Sequence, residues 1–154
     1  MLRITKQTDY GIVLLTLMAS EPERQVNAPE LAAEAQLPLP TVSKILKLLA
    51  RDGLLQSHRG VKGGYSLSRP PARITIAEVI GSLEGPIAIT ECIDEGGPHD
   101  CLQQGRCGVQ ANWQVINRAI RGALQEITLQ DMADQQVPQQ LVKIGAQRAA
   151  VAAR

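Results

Sequence analysis

Between Lys6 and Ser68 the apolar residues recur at helical spacing three times and then switch to strand spacing, an order that few folds accept. Residues 6–20 are apolar on most sides, through Tyr10, Ile12, Val13, Leu14, Leu15, Leu17 and Met18. A helix of that kind is buried between neighbours, not laid on a surface. It stops at Ser20-Glu21-Pro22. Asn27 then predicts an N-cap, with Pro29 in the first turn and Glu30 three residues on, and the second helix runs through Leu31, Ala32 and Ala35.

A break at Gln36-Leu37-Pro38 leads into a third helix over 39–52. Val42, Ile45, Leu46 and Leu49 follow i, i+3, i+4, i+7, with Ser43, Lys44, Lys47 and Arg51 on the other side. Asp52-Gly53 ends it, because glycine takes the left-handed conformation that closes a helix. Residues 54–59 and 65–68 read as short strands joined by the basic turn Gly60-Val61-Lys62-Gly63-Gly64. Three helices and a basic-tipped hairpin are the order of a winged helix-turn-helix. The fold class expected is mainly α, with that domain over 1–74.

After Pro70-Pro71 a short amphipathic helix spans 75–84, and a connecting segment continues to 91. A Gly-, Pro- and Cys-rich loop occupies 92–108. A long helix follows over 109–127, where Val109, Trp113, Ile116, Ile120, Ala123 and Ile127 are spaced 4, 3, 4, 3, 4. That heptad seam suits a partner helix, so residues 109–134 are assigned to dimerisation and 135–154 to a mobile tail. The plainer reading of the seam is packing on the chain's own N-terminal domain.

Composition narrows the function. Aromatic residues make up 2% of the chain, with no Phe, so the core is aliphatic and helical packing is favoured. Residues 1–73 hold ten Lys/Arg against six acids, and residues 74–154 hold six against nine. A basic front half suits a polyanion. The longest apolar run, Ile12 to Ala19, is broken by Thr16, and no signal-peptide pattern opens the sequence. A cytoplasmic protein without a membrane partner is expected. No nucleophile–base pair and no phosphate-binding glycine loop leading into a helix is found, so neither an enzyme nor a small-molecule substrate is expected.

In a helix-turn-helix the second helix of the pair enters the major groove by its N-terminal residues. Here these are Pro40, Thr41, Ser43 and Lys44, with Lys47 and Arg51 placed for phosphates. Arg59 and Lys62 make the hairpin tip positive, as a wing on the minor groove would be. Either feature alone could be an ordinary solvated surface. Together they indicate double-stranded DNA.

The cysteines fall at Cys92-x8-Cys101-x5-Cys107, among glycines that let a loop fold tightly. The loop is too polar to bury unligated thiols, and a reducing compartment disfavours a disulfide. Zinc on three cysteines with His99 and an iron–sulfur cluster both suit such ligands. Spacing does not choose between them.

Four motifs in order resemble the IscR/NsrR (Rrf-two) family of winged-helix regulators. They are Leu2-Arg3-Ile4-Thr5 with Thr8-Asp9-Tyr10-Gly11, the wing Arg59-Gly60-Val61-Lys62-Gly63-Gly64-Tyr65-Ser66-Leu67, the three-cysteine loop, and the long helix after it. The resemblance covers residues 1–134. It implies a homodimer with crossing long helices, an iron–sulfur cluster ([4Fe-4S] or [2Fe-2S]) on Cys92, Cys101 and Cys107, and Arg59 in the minor groove. IscR-type members add a histidine three residues after the last cysteine, where this chain has Gln110. Members that resemble NsrR, and regulators of the SUF cluster-assembly operon, instead offer an aspartate of the partner subunit at the position of Asp9, with His99 as the other candidate here. The wide x8 spacing favours the SUF type. The function implied is a repressor-class regulator of cluster-assembly genes that senses iron–sulfur status, redox state or nitric oxide. The alternatives are a zinc-binding or cluster-free regulator and a small iron–sulfur redox protein.

Overall fold

The computed structural model describes residues 3–61, 63–90, 93 and 106–134. Helix α1 (Lys6–Ser20) starts at Thr5, whose hydroxyl accepts the Thr8 N–H at 3.2 Å. Helix α2 (Ala28–Ala35) carries the expected capping box, Asn27 and Glu30 each accepting the other's backbone N–H. Helix α3 (Leu39–Arg51) follows, and Gly53 behind it sits at φ +77° as its C-terminal signal required.

The strands β1 (Leu55–His58) and β2 (Gly64–Leu67) pair antiparallel, with Leu55 opposite Leu67 and His58 opposite Gly64. Val26 joins the hairpin to the body by exchanging two backbone hydrogen bonds with Tyr65, at 3.0 and 2.8 Å. Gly64 allows that approach, since a Cβ there would lie 2.6 Å from the Val26 carbonyl oxygen. A single 3-10 turn at Pro71–Arg73 leads to α4 (Ile76–Glu84), capped by Thr75 and Glu78.

The core gathers all these elements. Leu14 and Leu15 of α1, Leu31 of α2, the α3 stripe of Val42, Ile45, Leu46 and Leu49, Ile74 and Val79 are essentially inaccessible to water. The apolar residues predicted to face inward on α3 are therefore all inside. Val13 on α1 is 41% exposed, so that helix is not apolar-buried on every side.

The C-terminal helix departs from expectation. One helix was expected over 109–127, within a dimerisation unit reaching 134. The structure has α5 (Gln110–Gln125) and a separate α6 (Leu129–Ala133). Thr128 makes a capping box with Asp131, and the backbone beside it is claimed by the N-terminal domain. Ile76 N–H donates to the Ile127 carbonyl and Leu129 N–H donates to the Ile74 carbonyl, each at 2.9 Å. Those bonds divert the chain from the helical path. Ile127 consequently lies beyond α5 and packs on its own core, and Leu129 is fully buried there. The expected tail, 135–154, lies outside the described residues.

Leu129→Ala should cost about 2–5 kcal/mol of stability, the usual range for truncating a fully enclosed leucine. Urea unfolding would measure it, and a loss below about 1 kcal/mol would mean that α6 is only loosely docked.

Candidate nucleic-acid interface and cysteine segment

The apolar stripe of α3 fixes which residues look outward. At 100° per residue, Pro40, Lys44, Lys47 and Arg51 form one row opposite the buried stripe, flanked by Ser43. Pro40, Lys44 and Lys47 are exposed, while Thr41 and Ser43 are half-buried on the shoulders. The N-terminus of α3 has no side-chain cap and no acid in its first turn. Pro38 and Pro40 have no N–H and the Thr41 and Val42 N–H groups donate to the Pro38 carbonyl, so what this end offers an anion is chiefly its positive dipole.

Ion pairing sorts the basic residues. Arg24 is held by Glu34 at 2.9 Å and Arg69 by Glu78 at 2.8 Å. Arg51, expected on the phosphate backbone, instead folds onto Asp52 with two contacts of 2.7 and 3.1 Å. The Asp52 carboxyl also accepts the Ser82 hydroxyl at 2.8 Å, and hydrogen bonds from Arg51 and Ser82 hold it below its ordinary range. Among the described residues no acid pairs with Lys44, Lys47 or Arg59. These three therefore stay open to a ligand on the helix-turn-helix and wing.

The wing is built for close approach. Gly60 at φ +107° turns the chain, and its carbonyl accepts the Gly63 N–H at 2.9 Å. Arg59 is exposed at the start of this turn, and Val61 stands fully in solvent at its tip. The sequence reading passed over Val61, because one valine in a glycine turn carries no periodic signal. Lys62, the other predicted wing contact, lies outside the described residues.

The cysteine segment is described in part. Cys107 is a free, half-buried thiol at the approach to α5, and a thiolate is the donor that iron–sulfur clusters take. Gln110 occupies the first position of α5, so the described end of the segment supplies one soft ligand and no histidine. Cys92, Cys101 and His99 lie outside the described residues. Among the residues described, no group of three or more His, Cys, Asp or Glu side chains converges on a metal site. Asp9 is exposed in the first turn of α1, and no hydrogen bond or ion pair to a described residue engages its carboxylate. It is presented outward, free for a group from elsewhere.

The end of α1 that carries Asp9 is anchored by a residue absent from the sequence reading. The Thr5 N–H donates to the Glu84 carboxylate at 2.6 Å. Burial works to raise the Glu84 carboxyl, but hydrogen bonds from the Thr5 backbone and the Thr8 and Thr5 hydroxyls outweigh it and lower it.

The predicted dimer seam divides in two. Val109, Trp113 and Ile116 are 51%, 38% and 42% exposed, so the N-terminal half of the seam is an uncovered apolar face. Ile120 and Leu124, further along α5, line a groove of about 480 Å³ with Ile4, Ile80, Ile87 and Ile89.

With three helices, a wing and an unpaired basic row in place, the class is that of a winged-helix DNA-binding protein. The family described as Rrf2, iron-dependent transcriptional regulator, matches residues 4–135, and the chain belongs to it. An HTH-type transcriptional regulator of Mycobacterium tuberculosis is 30% identical over 149 residues, covering 93% of this chain and 88% of that protein. Among solved structures, CymR of B. subtilis, the global cysteine regulator of that organism, superposes with a TM-score of 0.68 at 28% identity, covering 89% of this chain and 100% of CymR. IscR of T. potens gives 0.65 at 26%, covering 87% and 88%. The chain is a transcriptional regulator of the Rrf2 family and not an enzyme. No helix among the described residues is long and apolar enough to cross a membrane.

Because the Glu84 carboxyl is held below its ordinary 4.5, its contribution to stability is complete above that value and is lost as pH falls through the lower, folded one. Glu84→Gln should flatten this acid limb in thermal melts run between about pH 6 and pH 3. An acid limb equal to that of the wild type would assign it to other carboxylates.

Proposed function

We propose that the chain is a homodimeric repressor that binds operator DNA through α3 and the wing and senses iron–sulfur status, redox state or nitric oxide through a cluster on Cys92, Cys101 and Cys107. The genes it controls on this reading are those of cluster assembly. The observation that carries the DNA part is that Lys44 and Lys47 on the outer face of α3, and Arg59 on the wing, are exposed with no acid among the described residues pairing any of them. Thr41 and Ser43 on the shoulders of that face would read base edges, and Lys62 would add a cation at the wing tip.

The cluster part is supported by the family's description as iron-dependent and by the free thiol of Cys107 beside α5. The cluster would supply an oxidisable centre whose loss frees three thiolates. Asp9 of the partner subunit would complete the ligand set, with His99 as the other donor. The uncovered face of Val109, Trp113 and Ile116 would meet its symmetry mate, burying together what each copy alone leaves in water. Ile120 and Ala123 would continue the contact. Ile127, half-buried against its own core and beyond the end of α5, would stand at the margin of the contact.

A second reading has a specific observation behind it. The likeness to CymR, named as a cysteine regulator, favours a regulator of the same fold whose cysteine segment carries no cluster.

Anaerobically purified protein should be brown, with a visible absorption band that Cys101→Ala abolishes and that Asp9→Ala makes shorter-lived in air. Colourless protein with stoichiometric zinc would replace iron by zinc, and colourless metal-free protein would establish the cluster-free reading.

Lys47→Ala should lower the slope of log affinity against log salt by about 0.9, the value for one lost phosphate contact. Arg59→Ala should weaken operator binding by at least about tenfold, as for one lost base-edge contact. Fluorescence anisotropy with labelled duplex measures both, and unchanged binding by both variants would remove α3 and the wing from the interface.

A further inference from the structure

Asn117 is the only buried residue of α5, at 7% exposure, and it is polar. Its side-chain amide N–H donates to the Ile87 carbonyl at 3.0 Å, while its Oδ1 is enclosed and has no partner among the described residues. A buried acceptor left unpaired is costly, and an apolar side chain of the same size would avoid that cost. Among the described residues the amide thus keeps one hydrogen bond beside one unpaired acceptor.

The layout of α5 says what the bond does. Toward the C-terminus the helix is held by Leu124 and by the docked Ile127 and Leu129. Toward the N-terminus Trp113, Val115 and Ile116 are all exposed, so that half projects from the body. A rod fixed at one end pivots. Asn117 supplies a second fixed point seven residues before Leu124, about 10 Å away at 1.5 Å per residue. The Ile87 segment it grips leaves α4 through Gly85, at φ +92°, and packs on the core, so the bond refers the direction of α5 to the winged-helix body.

We propose that Asn117 is a positioning residue that fixes the angle of α5 to the DNA-binding body and thereby the half-site spacing the dimer reads. The proposal rests on the dimer reading above. Dimeric helix-turn-helix proteins address half-sites about 34–36 Å apart, and one base pair added or removed shifts and rotates one half-site against the other. A projecting face aimed by Asn117 sets where the second recognition helix falls. Residues 87 and 117 also bracket all three cysteines in sequence, so the clip closes the stretch of chain that contains the cysteine segment.

The test selects an operator from random duplex DNA with the wild-type protein, then adds or removes one base pair between its half-sites. Anisotropy is measured for wild type, N117L and N117D, with sedimentation and thermal melts as controls. N117L removes the donor and the orphaned acceptor together, and N117D replaces the donor by a second acceptor facing the Ile87 carbonyl. Wild type should prefer its own spacing by about tenfold or more, and the variants, still folded and dimeric, by less than about threefold. A base change inside a half-site should be felt equally by all three, because α3 is untouched. Variants that keep the wild-type spacing profile, or that weaken at every spacing alike, would overturn the proposal. A wild type that sediments as a monomer on a single half-site would instead overturn the dimer reading and the proposal with it. Should N117L not fold, N117D carries the same comparison.

Discussion

The pair of backbone hydrogen bonds joining Ile74 and Ile76 to Leu129 and Ile127 sets the geometry on which the rest depends. These bonds hold the chain beyond α5 against the DNA-binding body, in addition to the contacts of Leu124 and Asn117. The chain after α5 is thereby returned to the core of the body through Leu129. A helix so anchored projects at one end only. Its exposed face, Val109, Trp113 and Ile116, is placed by the body's own packing.

The same economy governs the DNA-facing side. Four enclosed side chains on α3 leave only one orientation for the helix, and that orientation puts Lys44 and Lys47 outside. Charge is then edited by local pairing. Arg24, Arg51 and Arg69 are each taken up by an acid of their own neighbourhood, while Lys44 and Lys47 on α3 and Arg59 on the wing are left unpaired among the described residues. A polyanion arriving at this surface meets cations with no carboxylate to displace, which favours both rate and affinity.

Most of the winged-helix body was legible in the sequence because its signals are local. Asn27 with Glu30, the i, i+3, i+4, i+7 stripe from Val42 to Leu49 and Gly53 each declare themselves within one or two turns. The end of α5 was misread because the heptad spacing runs on through Ile127, while the event that ends the helix is pairing with residues some fifty positions earlier. The capping box of Thr128 and Asp131 was there to be read and was overridden by the period. Arg51 was assigned to phosphates from its place on the helix face, and the neighbouring Asp52 was read only as part of a stop signal. Glu84 and Asn117 were invisible for a different reason. Each acts on a backbone group far away in sequence, Thr5 and Ile87, and no periodicity encodes such a contact.

These two missed contacts bear on how a state of the cysteine segment could reach DNA. Glu84 ties the last turn of α4 to the start of α1, where Asp9 is presented, and Asn117 ties the segment just after α4 to α5. Helix α4 thus stands between the proposed partner-donated ligand and the dimer helix, with its buried face, Ile76, Val79 and Ile80, packed into the same core as α3. On the proposed reading, a cluster drawing on Asp9 of one subunit and Cys107 of the other would load both ends of this linkage at once. Its loss would release them together. A close-packed core moves between discrete arrangements and does not yield by degrees. A small change at either tie would therefore be passed on as a change in where two recognition helices stand, and spacing, not the chemistry of the reading residues, would carry the signal.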